Sequence, residues 1–256
     1  MKAFLIITVC YLFICSISKQ DKVNIPQNKL SPDSLLKYCS NFNFLNNKIR
    51  DNKISKKEAL NQIQYLLPKI KAAYYKNGGK DFPQPIWRFP IEGYGTKAIG
   101  GVRGNGYVAS KYNYFDGNKH LGHPAHDIFI TDKNQDCIDD RTNKPANILS
   151  ITGGIVLATD SGWDSTSSLR GGNYIWIYDP YSNSFYYYAH NSALFVKPGD
   201  IIKPGNIIAT VGRTGLNAYK KRSPTHLHIM QLKLDNYIFP KPVNCYGVLI
   251  KAIKLN

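Results

Sequence analysis

The chain changes character near residue 82, and that change limits the folds open to it. From Lys19 to Lys80 the pattern is helical and basic. Ser55-Lys56-Lys57-Glu58 has the form of a capping box, and Leu60, Ile63, Leu67, Ile70 and Tyr74 follow at helical spacing until Gly78-Gly79 stop the run. Pro68 is expected to kink this helix. The Pro-rich stretch Phe82-Pro83-Gln84-Pro85 then leads into short β-type runs punctuated by Gly: 148–159, 173–178, 184–189, 206–211 and 226–234. Val, Ile, Tyr and Trp dominate these runs, and Asp179-Pro180-Tyr181-Ser182-Asn183 reads as a turn between two of them. The pattern predicts a mainly β chain, an antiparallel sheet or sandwich-like domain over 86–256, preceded by a short helical region over 19–81. With 43% hydrophobic residues in 256, there is apolar material enough for a packed core. No Gly-rich strand-to-helix phosphate cradle and no internal repeat is present.

Residues 1–18 read as an export signal: Lys2, an uncharged apolar run from Ala3 to Ile14, then Cys15-Ser16-Ile17-Ser18. The run is shorter than the ~20 residues that span a bilayer. A lipid anchor on Cys15 is disfavoured by bulky Ile14 before it. An exported protein of the periplasm, cell envelope or medium is expected. Its mature form would carry +15 and three cysteines, Cys39, Cys137 and Cys245. An odd count rules out a disulfide scaffold, so stability must come from packing.

The whole sequence has 33 Lys+Arg against 17 Asp+Glu, a formal charge of +16. Nucleic acid, an anionic membrane and an anionic extracellular polymer would each suit such a balance. No recognition helix or RNA-binding motif is present, so specific nucleic-acid binding is not expected. Between Lys19 and Lys80 there are 13 Lys+Arg and four acidic residues. This segment suits attachment to an anionic wall or membrane surface, a pro-region over a groove, or a solvated appendage.

All six histidines lie after residue 119: His120, His123, His126, His190, His226 and His228. Strand alternation puts His226 and His228 on one face with Met230, Leu232 and Leu234, a face that points to the core. One of the pair could bind a metal while its neighbour acts as a base; two ordinary half-buried strand histidines would give the same pattern. In a straight strand His123 and Asp127 would stand about 13 Å apart, too far to share an ion with bonds near 2 Å. Pro124 argues against a helix. The arrangement that joins them is a loop carrying His123 that turns into a strand near Asp127. His190 ends Phe185-Tyr186-Tyr187-Tyr188-Ala189-His190, where alternation puts it with Tyr186 and Tyr188.

A Zn²⁺ held by two imidazoles and one carboxylate keeps a fourth position for water, the catalytic rather than the structural arrangement. Only two of the 17 acidic residues are Glu, Glu58 and Glu92. No His-Glu-x-x-His helix exists, which excludes a thermolysin-like scheme.

In order and spacing these residues resemble the lysostaphin/LytM-type zinc metallopeptidases of bacterial cell walls, over roughly Phe89 to Leu234. The resemblance rests on His123-x-x-x-Asp127, Tyr188-Ala189-His190, Val196-Lys197-Pro198-Gly199-Asp200-Ile201-Ile202, the run Gly205 to Gly215, and Thr225-His226-Leu227-His228. It implies that His123, Asp127 and His228 bind Zn²⁺, and that His190 and His226 act as base and transition-state stabiliser, in an order it leaves open. It also implies a β-sheet groove for an extended peptide, with peptidoglycan stem peptides or cross-bridges as substrate. A monomeric endopeptidase is expected; the alternative is a catalytically silent wall-binding relative or an activator of another hydrolase. The chain departs from the family pattern after Ile130, where 131–143 is longer than usual. Its polar side chains at 132, 134, 136 and 140 have calcium-loop spacing, but Cys137 replaces the turn Gly and no Glu closes it, so an acidic surface loop competes. The Ser- and Gly-rich stretch 160–172 is expected to form a groove-side loop.

Overall fold

The computed structural model describes residues 32–255, so the expected export signal and the first part of the basic segment lie outside the described residues. Two helices come first, α1 (Pro32–Arg50) and α2 (Lys56–Lys76). Ser55 caps α2 in a full capping box with Glu58, and Asn77 closes its other end ahead of Gly78, whose φ of +88° suits glycine. The helix runs unbroken across Pro68, which sits on the exposed side. Leu35, Cys39, Phe42, Leu45 and Ile49 form the buried stripe of α1, and Ile63, Leu67, Ile70 and Tyr74 that of α2.

Ten strands follow: β1 (Ala125–Phe129), β2 (Asn147–Leu149), β3 (Gly154–Asp160), β4 (Tyr174–Asp179), β5 (Ser184–Ala189), β6 (Asn191–Leu194), β7 (Ile201–Ile202), β8 (Ile207–Val211), β9 (His226–Leu234) and β10 (Pro240–Val243). A short helix, α3 (Tyr246–Leu249), comes last. The strands make a seven-stranded sheet in the order β1-β9-β5-β4-β3-β7, with β10 also on β9, and a three-stranded sheet β2-β8-β6. Every strand pair is antiparallel. The predicted strand over 148–159 divides into β2, which pairs with β8 in the small sheet, and β3, which opens at Gly154 with a φ of +142° and pairs with β4 and β7 in the large one.

The large sheet is buried on both faces. Phe185, Trp176, Tyr178, Met230, Leu232 and Leu234 on one face share a core with the buried stripes of α1 and α2. On the other face Ile175, Ile177, Tyr186, Tyr188, Leu227 and Ile229 pack against Ile148, Ile208, Val211, Trp87 and Phe89. The result is three layers: helices, large sheet, small sheet. Phe42 of α1 meets Phe185 of β5 edge to face, with centroids 5.7 Å apart, so the helical region shares its core with the β part. Cys39, Cys137 and Cys245 are free thiols. Burial pushes the Cys39 and Cys245 thiols up to about 12, which makes them inert packing groups.

Candidate metal centre

The site is set by the pairing of β1 with β9. Asp127 stands opposite His228 and Phe129 opposite His226, so all four side chains project on the helix-side face. His123 comes from the segment before β1. Gly122 at φ +77° turns the chain there, and His123 exchanges backbone hydrogen bonds with Val108. The turn folds His123 back over Asp127, and its Nε2 lies 3.2 Å from Asp127 Oδ1. Nδ1 of His228 lies 3.1 Å from the same oxygen. The donor atoms of His123, Asp127 and His228 all fall within 4.8 Å of one another.

These three residues fit a metal ion by geometry and by donor chemistry. Ligands ~2.0–2.1 Å from a tetrahedral Zn²⁺ stand about 3.3 Å apart, close to the two separations found here. The Nδ1–H of His123 donates to the Gly106 carbonyl at 2.9 Å, which leaves Nε2 to face Asp127, as a donor when the ring is protonated and as a lone pair for an ion when it is neutral. Burial raises the Asp127 carboxyl, but hydrogen bonds from His123 and His228 outweigh it and hold the group far below the carboxylate range. The Asp127 hydrogen bond raises His123. Burial instead pulls His228 down to about 4, against the pull of Asp127.

His190 and His226 complete the constellation. Their ring centroids are 4.9 Å apart, and that of His190 is 5.5 Å from His228. His226 Nε2 is 3.8 Å from Asp127 Oδ1. Nδ1 of His190 bonds the Thr214 carbonyl at 2.7 Å, and Nδ1 of His226 bonds the Pro224 carbonyl at 2.7 Å. A carbonyl accepts only, so each Nδ1 carries hydrogen and each neutral ring offers Nε2 as a base. Burial, with the His226 and His228 charges, holds His190 well below its ordinary value.

One expectation is corrected by the backbone. His190 does not share the face of Tyr186 and Tyr188, which lie in the opposite core. β5 ends at Ala189, and a φ of +66° at His190 turns its ring to the metal-site side, with Tyr187. That turn depends on Gly215, at φ +111°, where a Cβ would press on His190 Nδ1 and the Arg170 carbonyl. His126 points to the opposite side, where Nε2 meets Asn244 Oδ1 at 2.9 Å. His120 and Arg170, from the segments 114–120 and 160–172, line the same cavity of about 220 Å³ as the five site residues. Motif spacing gave no signal for Tyr187 or Arg170.

In the segment 131–143, Asp132 turns its carboxylate inward. It accepts from the backbone N–H groups of Asp136 and Cys137 and from the Thr225 hydroxyl at 2.6 Å, beside His226. Asp140 accepts from the Lys133 N–H at 3.0 Å. Asp136 accepts from the Ile138 N–H and from the Asn134 amide, so all four side chains with calcium-loop spacing brace the loop, and Asp132 ties it to the residue before β9.

Residues 133–240 match the model of Peptidase family M23. The match takes in His190, His226 and His228; His123 and Asp127 stand just ahead of it and join the site through the β1–β9 pairing. The chain is similar in structure to the catalytic domain of the antimicrobial peptidase lysostaphin from Staphylococcus simulans. That match has 23% identity and a TM-score of 0.36, over 52% of this chain and 81% of that one. It is similar also to a putative glycyl-glycine endopeptidase lytM from Ruminococcus gnavus, at 21% identity and TM-score 0.46 over 87% and 88% of the two chains. A zinc containing peptidase from Vibrio cholerae aligns at 19% identity and TM-score 0.39, over 67% of this chain and 41% of that one. Residues 133–240 thus carry a Peptidase family M23 match, and the fold joins to that part the His-Asp-His cluster of a metallopeptidase.

Proposed function

We propose that the protein is an exported zinc endopeptidase that hydrolyses peptide bonds in bacterial peptidoglycan, in stem peptides or cross-bridges. The observation that carries this reading is the convergence of three donors suited to one ion with two further imidazoles in the base-ready tautomer, all lining one cavity. His123, Asp127 and His228 would hold the metal. A bound Zn²⁺ supplies a Lewis acid that polarises the scissile carbonyl and lowers the pKa of its water toward about 7. Of His190 and His226, one as the neutral ring would take the proton of the attacking water at Nε2, and the other, protonated at both ring nitrogens, would donate from Nε2 to the carbonyl oxygen as charge develops there. The Thr214 and Pro224 carbonyls keep both rings aimed into the cavity throughout.

Residues 1–18 serve as the export signal in this reading, 19–81 as a basic helical region and 86–256 as the catalytic domain, acting as a monomer. The basic region faces an anionic wall or membrane surface. The test is mass spectrometry of purified peptidoglycan digested by the protein. New amino termini at one bond type, abolished by a chelator and restored by Zn²⁺, are the expected result. Intact peptides, with the protein sedimenting on the wall, would instead indicate a silent wall binder.

A further inference from the structure

The cavity beside the candidate metal centre holds a cation that the reaction scheme leaves unused. Arg170 is half-buried in its wall, and one guanidinium N–H group of Nη1 donates to the His120 carbonyl. Of its five N–H donors this is the one with a protein acceptor among the described residues, and no described carboxylate pairs with it. Of the other half-buried arginines, Arg50 is paired with Asp51 and Asp160, Arg213 donates to the carbonyls of Ser223, Lys220 and Tyr219, and Arg88, which donates to the Ile86 carbonyl, does not line this cavity. The carboxylate that lines the cavity, Asp127, is taken up by His123 and His228. Arg170 lines one cavity with His123, Asp127, His190, His226 and His228.

A half-buried guanidinium without an anion loses hydration that nothing in the protein returns. A planar fork of free N–H groups matches a carboxylate in bidentate fashion. We infer that Arg170 is a specificity-determining residue that binds a carboxylate of the peptide substrate, next to the bond that is cut. The inference rests on the endopeptidase reading above and narrows its substrate class to acidic peptides. The carboxylate has two sources, the peptide's terminus or an acidic residue within it.

The experiment is calorimetric titration of the full zinc-loaded chain carrying His190→Ala, which slows turnover, with the stem tetrapeptide L-Ala-D-Glu-L-Lys-D-Ala. Four forms are used: both carboxyls free, either one amidated, and both amidated. The free form is expected to bind at least about tenfold more tightly than the doubly amidated form, as befits a charged hydrogen-bonded pair. The singly amidated forms report which carboxylate matters. In Arg170→Gln the preference should fall below about threefold, and Arg170→Lys, which keeps the charge but not the fork, should retain part of it. Equal binding of all forms by the unsubstituted Arg170 protein would overturn the inference. So would an equal loss for every form in Arg170→Gln, the sign of a merely structural role. Digestion of intact peptidoglycan by the chain with His190 intact tests the endopeptidase reading separately. A carboxylate preference with no bond cut in stem peptide or cross-bridge would support the role of Arg170 and sink that reading.

Discussion

Along one face of β9, His226 and His228 stand at one end and Met230, Leu232 and Leu234 at the other, and the two ends meet different neighbours. The apolar end is roofed by α1 and α2, with Phe42, Trp176 and Phe185 in close ring contact. The polar end is roofed by 106–123 and 169–172, loops that leave a cavity of about 220 Å³. Both ends belong to one strand, which pairs with β5 from His228 to Lys233 and is flanked on its other edge by β1 at the polar end and by β10 at the apolar end. What differs is whether the covering element returns apolar contact, which stabilises, or leaves space and polar groups, which costs stability and allows chemistry. Fold strength and catalysis should therefore respond to different substitutions along a single strand face.

The largest expected separation comes from the polar end. His190→Ala and His226→Ala should each lower the rate of peptide release by roughly 10²–10⁴-fold while zinc content stays near one per chain. Comparing the pH profiles of the residual activities identifies the base, because loss of the base removes the acidic limb. At the apolar end the reverse should hold. Phe185→Ala should lower the free energy of unfolding by about 3–5 kcal/mol in urea denaturation, with zinc affinity of the folded fraction unchanged.

Acid should weaken the metal-free protein through the polar end. His228 is held at about 4 in the folded state, against about 6.5 when unfolded. Between those values the unfolded chain binds the extra proton, so stability is lost as pH falls from 6.5 toward 4, by up to about 3 kcal/mol from this residue. His190, also held low by burial, adds to the loss; His123, raised by Asp127, opposes it. Thermal melts of the chelated protein across this range check the sign. The smallest effect belongs to the far end of the helical roof. Ser55→Ala removes the α2 cap and should cost about 1 kcal/mol, with no change in metal binding.

The comparison also shows what was legible in the sequence. The pairing of His226 with His228, and with the apolar residues beyond them, follows from strand alternation and stands as expected. The turn that folds His123 onto Asp127 was expected as a shape, but its anchor, Val108, lies fifteen residues earlier and carries no motif. His190 was placed on the wrong side because alternation assumes a continuing strand, and a positive φ ends it one residue sooner. The short β6, β7 and β10 hold too few residues for a period to emerge. The stripe Leu35, Cys39, Phe42, Ile49 has helical spacing, yet spacing does not say that its partner is β5. Pro68 passes through α2 without ending it, because packing of Ile63, Leu67 and Ile70 outweighs one missing hydrogen bond.

The central claim is that His123, Asp127 and His228 hold one metal on which peptide hydrolysis depends. The direct measurement is zinc stoichiometry by elemental analysis, taken beside muropeptide release, for the purified chain and for His228→Ala. The account predicts about one Zn²⁺ per chain and steady release for the first, and less than about a tenth of each for the variant, with the fold retained. Full zinc occupancy and unchanged release in folded His228→Ala would contradict it.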